Sequence, residues 1–246
     1  MGRQTGVPGA VLAAVLLAAG GAGCSGTAAP DGGDAKPSAT RTARPTDSKP
    51  DSTPDSKPGG GDVLPGMVTA AEARTRLAAL KVAPGGTMAG YSRDKFTHWA
   101  QQGNKCDTRE VVLERDGSGV QRDAECRAVS GSWKSLYDGL AVTDAAKMDI
   151  DHMVPLAEGW RSGAAGWDAA KRKAFANDLT NPQLLAVTAA SNRAKGDQSP
   201  DLWQPPDKSS WCQYGRAWTT VKSTYGLTVT EPEKKMLTTM LDTCAS

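Results

Sequence analysis

Histidine is scarce in this chain: His98 and His152 are the only two among 246 residues. That scarcity excludes His-rich zinc sites and the H-E-x-x-H peptidase motif, which requires two histidines four residues apart. No two cysteines are spaced as C-x-x-C, so a structural zinc finds no obvious ligand set. An excess of positive charge is also lacking. The 29 Lys+Arg residues against 27 Asp+Glu leave a net +2, and the first 62 residues, with six of each sign, contribute nothing to it. A chain that lives by gripping nucleic acid is usually more basic. The charge therefore argues against strong constitutive binding, but not against an enzyme with a local basic groove. Only two phenylalanines accompany seven tryptophans; the tryptophans read as core packing, with one or two available as stacking platforms for bases.

The apolar run near the start, from Val7 to Ala19, has a core of about a dozen residues, too short to span a bilayer comfortably and typical of a secretory signal. It ends at Gly20-Gly21-Ala22-Gly23-Cys24 and resembles a bacterial lipoprotein signal, with Cys24 as the lipidated residue, although Gly21 replaces the usual aliphatic side chain. Residues 25–62 are rich in Pro, Ser, Thr, Asp, Lys and Gly and cannot bury enough surface to offset their ordering entropy, so a disordered tether is expected. Three segments result: a signal over 1–24, a tether over 25–62 and one domain over 63–246. The expected location is outside the cell or on the outer face of the cell membrane, with the lipid on Cys24 as the only membrane contact.

Four further cysteines, Cys106, Cys126, Cys212 and Cys244, form an even set that in an exported domain reads as two disulfides. Cys212 opens one helical segment and Cys244 closes the next, with Gly226 about midway between them, so antiparallel helices bring the two level. Cys106 and Cys126 then close the loop around Asp116-Gly117-Ser118-Gly119. Helices are expected from Thr69 to Leu80, Asp94 to Gln101, Pro155 to Trp160, Asp168 to Ala176, Thr188 to Lys195, Ser210 to Tyr225 and Glu231 to Thr243. Thr108 to Arg115 fits a strand or a helix equally well. Glu125–Val129 and Ser132–Tyr137 are expected to form a hairpin around Gly131, and strands are expected at Lys147–Asp151 and Gln183–Val187.

The chemistry concentrates in Asp151-His152-Met153-Val154-Pro155, in Asn181-Pro182-Gln183-Leu184-Leu185, and in Ser191-Asn192-Arg193-Ala194-Lys195-Gly196-Asp197. Asp151 offers a carboxylate to a metal, and His152 is a base that titrates near neutrality. Asn192 supplies a neutral oxygen. A phosphodiester resists attack because its charge repels nucleophiles and its leaving alkoxide is poor. One divalent cation on Asp151 and Asn192 answers both difficulties, Mg²⁺ fitting best and Mn²⁺ as the alternative. His152, on the opposite strand face, takes the proton from the attacking water. Arg193 and Lys195 are placed to hold phosphates or, equally, are ordinary helix-surface charges. Arg161, Lys171, Arg172 and Lys173 are further candidates for a basic groove.

This constellation resembles the HNH endonuclease motif, and from about Tyr91 to Cys244 the chain is similar to the HNH family homologous to the C-terminal domain of GmrSD-type restriction enzymes. Cys106-Asp107-Thr108-Arg109-Glu110 resembles the front of secreted actinobacterial members. The resemblance implies an α+β fold in which a two-stranded hairpin and a helix clasp one metal ion, flanked by helices and a terminal helical pair. It makes Asp151 and Asn192 the metal ligands and His152 the general base. Asn181 becomes the central Asn that ties the hairpin loop together, with Asn177 as its fallback. The substrate implied is nucleic acid, DNA before RNA, and no obligate protein partner is expected. Two other readings compete: a non-catalytic surface lipoprotein that keeps an HNH-like fold as a binding module, and a cell-wall hydrolase. The second lacks a recognisable nucleophile or metal triad.

Overall fold

The computed structural model describes residues 64–245. The expected signal and tether, and with them the lipidation candidate Cys24, lie outside the described residues. Helix α1 (Ala70–Ala79) starts where Thr69 accepts the Glu72 amide and buries Ala73 and Leu77. Two short strands follow, β1 (Gln101–Gly103) and β2 (Cys106–Asp107), which pair with each other. Asp107 caps α2 (Thr108–Asp116) by accepting the amides of Arg109 and Glu110. Strands β3 (Gly117–Arg122), β4 (Ala128–Lys134) and β5 (Ala141–Val142) form an antiparallel sheet in that order.

Strand β6 (Met148–His152) is separated by α3 (Leu156–Arg161) and α4 (Ala169–Ala176) from its antiparallel partner β7 (Leu184–Thr188). Met148 lies opposite Thr188 and His152 opposite Leu184. Helix α5 (Ala189–Lys195) leaves directly from β7, because the Thr188 hydroxyl accepts the Ser191 amide. Asp138 then accepts the hydroxyls of both Thr188 and Ser191, fixing the start of that helix. The described chain ends in the antiparallel pair α6 (Trp211–Tyr225) and α7 (Glu231–Asp242). The fold is α+β, with small sheets.

The larger core joins α1, α3, α4, α6 and α7 through Leu77, Trp160, Phe175, Trp218, Leu237 and Met240. Fully burying side chains of this size contributes about 1.5–3 kcal/mol each for the aliphatic and phenyl members. A smaller core sets Val112, Leu113 and Trp133 against Met148, Ile150, Leu184 and Ala186, backing the β6–β7 pair. Lys222, wholly buried, ties three helices together: its Nζ lies 2.9 Å from Glu158 Oε1 and 3.0 Å from Glu233 Oε1. The disulfides are Cys106–Cys126 and Cys212–Cys244, as the cysteine spacing suggests. Gly226 takes φ +65° at the end of α6, the left-handed turn that lets α7 fold back.

Two local expectations are corrected. Asp94–Gln101 is not a helix: a single 3-10 turn at Arg93–Lys95 is followed by irregular chain, because Phe96 is drawn fully into the core and Trp99 adopts φ +56°. Gly131 is not a turn between two strands but lies inside β4, paired with β3. A Cβ there would stand 2.7 Å from the Trp133 indole, so the glycine makes room for the ring. The ambiguous Thr108–Arg115 segment is helical.

Candidate active site

The β6–β7–α5 unit brings the three sequence motifs together. Along β6, Asp149 and Asp151 share one face, which α5 covers. Asn192 Nδ2 donates to Asp149 Oδ2 at 3.0 Å. Asp151 is buried, and its Oδ2 accepts both the Tyr137 hydroxyl at 2.5 Å and the Lys195 ammonium at 2.7 Å. Lys195 also donates to the His152 carbonyl at 2.9 Å. Burial pushes the Asp151 carboxyl up and the Lys195 ammonium down, while their mutual attraction opposes both shifts.

Lys195 corrects an expectation. Its side chain is 0 % exposed and both its hydrogen bonds run inward. It therefore has no face to offer a phosphate. The last turn of α5 points this lysine at β6 because Lys195 lies seven residues from the Thr188 cap, two turns along the face that packs on the strand. Its neighbour Arg193, by contrast, is exposed, as a phosphate-binding side chain must be.

His152 projects from the other face of β6. Its Nε2 lies 3.0 Å from the Ala176 carbonyl at the end of α4. A carbonyl only accepts, so Nε2 carries the hydrogen and Nδ1 keeps its lone pair in the neutral ring. Among the described residues, the hydrogen bond recorded for the ring is the one at Nε2. The imidazole is nearly buried, and burial pushes its pKa down to about 3, with Arg93, Lys195 and His98 adding to the shift and the Ala176 bond opposing it. The Trp99 indole stacks on the ring at 5.8 Å. His98 lies apart, its Nδ1 donating to the Phe96 carbonyl at 2.9 Å and its ring edge-on to Trp99.

Asn181 sits in the connection before β7. Its Nδ2 donates to Asp178 Oδ2 at 2.8 Å and its own amide to Asp178 Oδ1 at 3.0 Å, so it braces the turn and reaches none of the groups on β6. Asn177 has a separate task. Its Oδ1 accepts the Ala100 amide and the Thr108 hydroxyl, each at 2.8 Å, and its Nδ2 donates to the Thr97 carbonyl at 2.6 Å.

Sequence reasoning did not single out Asp149, Tyr137, Asp178 or Trp99. Asp149 was within reach, since a residue two positions before Asp151 on a strand shares its face. Tyr137 belongs to no motif and meets Asp151 only through the fold. Among the described residues no group of three or more His, Cys, Asp or Glu side chains is poised as a metal cluster. The oxygens gathered here are two carboxylates and one amide. That set suits a hard divalent cation with water completing its shell. Turning the Asn192 amide would present Oδ1 beside Asp149, and Lys195 occupies only Oδ2 of Asp151.

Comparisons with known proteins bear on this site. Residues 108–240 match the family model of the C-terminal domain of GmrSD restriction endonucleases. An uncharacterized secreted protein of Arthroderma benhamiae (strain ATCC MYA-4681 / CBS 112371) is 54% identical over 180 residues, covering 73% of this chain and 88% of the relative. No solved structure matches.

Proposed function

Because the chain belongs to the family of GmrSD restriction-endonuclease C-terminal domains, a family tied to nuclease function, we propose that it is an exported, metal-dependent nuclease that hydrolyses phosphodiester bonds. DNA is the favoured substrate. Export rests on the apolar leader, the two disulfides and the secreted relative; attachment through a lipidated Cys24 is part of the same reading.

The observation that carries the proposal is the hydrogen bond from His152 to the Ala176 carbonyl, one residue from a strand face bearing Asp149 and Asp151. It fixes the tautomer with Nδ1 as the accepting nitrogen, which is the form a general base must have. Asp151 and Asn192, joined by Asp149, are the residues that would hold Mg²⁺ or Mn²⁺. Bound there, the ion would supply charge neutralisation at the scissile phosphate and at the departing 3′ oxygen. His152 takes the proton of the attacking water at Nδ1, and an anionic phosphate beside the ring raises its basicity from the low value of the free site. Arg193, exposed on α5, holds an adjoining phosphate.

One observation favours a second reading, a non-catalytic binding module: the Asp151–Lys195 ion pair already satisfies one carboxylate oxygen and places a positive charge beside the site. Plasmid degradation with and without EDTA separates the two. Cleavage that EDTA abolishes, and that His152→Ala lowers by about two to four orders of magnitude, is the expected result. A chain that leaves plasmid intact at every divalent-metal concentration is the binding module.

A further inference from the structure

The segment 97–100 runs across the imidazole of His152 in a conformation that costs energy. Trp99 has φ +56°, a left-handed backbone that a bulky aromatic rarely adopts and that persists only where surrounding bonds enforce it. Those bonds lie on both sides of Trp99. Asn177 holds the Thr97 carbonyl at 2.6 Å and the Ala100 amide at 2.8 Å, while the Thr108 amide donates to the Ala100 carbonyl at 3.0 Å. The clamp is a single residue beyond Ala176, whose carbonyl holds His152 Nε2. The end of α4 thus fixes the histidine by one atom and the indole by the next residue.

We propose that Trp99 is a positioning residue for His152, its strained backbone maintained by Asn177 so that the indole holds the imidazole with Nδ1 directed at the substrate. One hydrogen bond at Nε2 does not by itself fix the plane of the ring. A flat indole stacked at 5.8 Å and 30° removes that freedom, since the ring cannot turn without losing the stack. Ordinary packing accounts for part of the contact, because Trp99 also touches the smaller core. It does not account for a left-handed tryptophan pinned on both flanks, where a glycine would fill the same backbone without strain. The proposal rests on His152 being the general base, but the placement of the ring is measurable independently of activity.

The test uses the mature chain with Trp99→Phe and Trp99→Leu. Cleavage of linear DNA in Mg²⁺ gives kcat and KM, and imidazole ¹⁵N spectra give the ring of His152, assigned against His152→Gln. Trp99→Leu is expected to lower kcat about a hundredfold with KM little changed, and to shift and broaden the His152 signals. Trp99→Phe, which keeps an aromatic face, restores both in large part and stands in if the leucine variant fails to fold. A Trp99→Leu loss confined to KM makes Trp99 a substrate contact and overturns the proposal, as does an unchanged kcat. If the wild-type chain cleaves nothing, the nuclease reading has failed, and the spectra alone decide the positioning: unaltered His152 signals in Trp99→Leu refute it, broadened ones support it.

Discussion

The Lys195 ammonium and the Asp151 carboxylate stand 2.7 Å apart in a site where the lysine has no exposed surface. Taking both charges out of water is expensive, and what holds them is their mutual attraction together with the Tyr137 hydroxyl and the His152 carbonyl. The pair welds α5 to β6 and orients the carboxylate proposed to hold the metal.

Removing one partner should therefore be worse than removing both. Lys195→Met keeps the length of the side chain but leaves Asp151 buried without its counter-charge, and should lower stability by about 3–5 kcal/mol. Adding Asp151→Asn to that background should recover much of the loss. Urea unfolding of the single and double variants measures this, and equal midpoints for Lys195→Met and the wild type would show that the pair contributes nothing.

Arg193 should behave in the opposite way. Arg193 is exposed, so Arg193→Ala should alter stability by no more than about 0.5 kcal/mol. DNA affinity should nevertheless fall, and its salt dependence should lose about one unit of slope. Filter binding across a range of salt concentrations, in Ca²⁺ or with His152→Ala to prevent cleavage, reads that slope; an unaltered slope removes Arg193 from the phosphate contacts.

The proposed metal site yields its own expectation. Asp149→Asn and Asn192→Ala should both weaken Mn²⁺ binding in calorimetric titration, whereas His152→Ala should leave it nearly intact because the histidine lies on the other strand face. Unimpaired binding in both ligand variants would move the site elsewhere.

Acid should loosen the connection before β7. Burial alone would raise the Asp178 pKa, but hydrogen bonds from the side chains and backbone of Asn181 and Thr180 outweigh it and hold the carboxyl below its ordinary 3.8. A carboxyl with a depressed folded pKa stabilises the fold above its unfolded pKa, and that contribution disappears as pH falls through the folded value. Asp178→Asn should therefore be less stable than the wild type at neutral pH, with the gap closing below pH 3.8. Thermal melts at pH 7 and near pH 2 test it; a gap of constant size would mean that Asp178 carries no such charge-dependent bond.

The Cys212–Cys244 bridge spans 32 residues and joins the start of α6 to the residues just after α7. Replacing both cysteines by serine should cost about 3–4 kcal/mol by freeing the unfolded chain. The Asp151–His152 strand lies elsewhere in the chain, so Mn²⁺ affinity should be retained at temperatures where the variant remains folded. Guanidinium unfolding paired with titration distinguishes a staple for stability from one that shapes the site.

Much of the architecture was legible in the chain because it rests on local physics. Thr69, Asp168 and Thr188 each cap a helix through bonds spanning three residues, and the apolar spacing of α6 and α7 with Gly226 between them fixes a helical pair and hence the cysteine partners. The strand–strand–helix order around Asp151, Asn181 and Asn192 follows from the same signals. Tertiary structure alone decided the rest, where partners are distant in sequence. The chemistry of Lys195 depends on Asp151, 44 residues away, and on Tyr137, so that a residue read as a surface cation became a buried one. The Asp94–Gln101 segment has helical spacing, yet Phe96 gains more by entering the core, and Asn177 spends its bonds on Thr97 and Ala100. Propensity differs among such conformations by only about 1 kcal/mol per residue, which a buried ring and two long-range hydrogen bonds readily exceed.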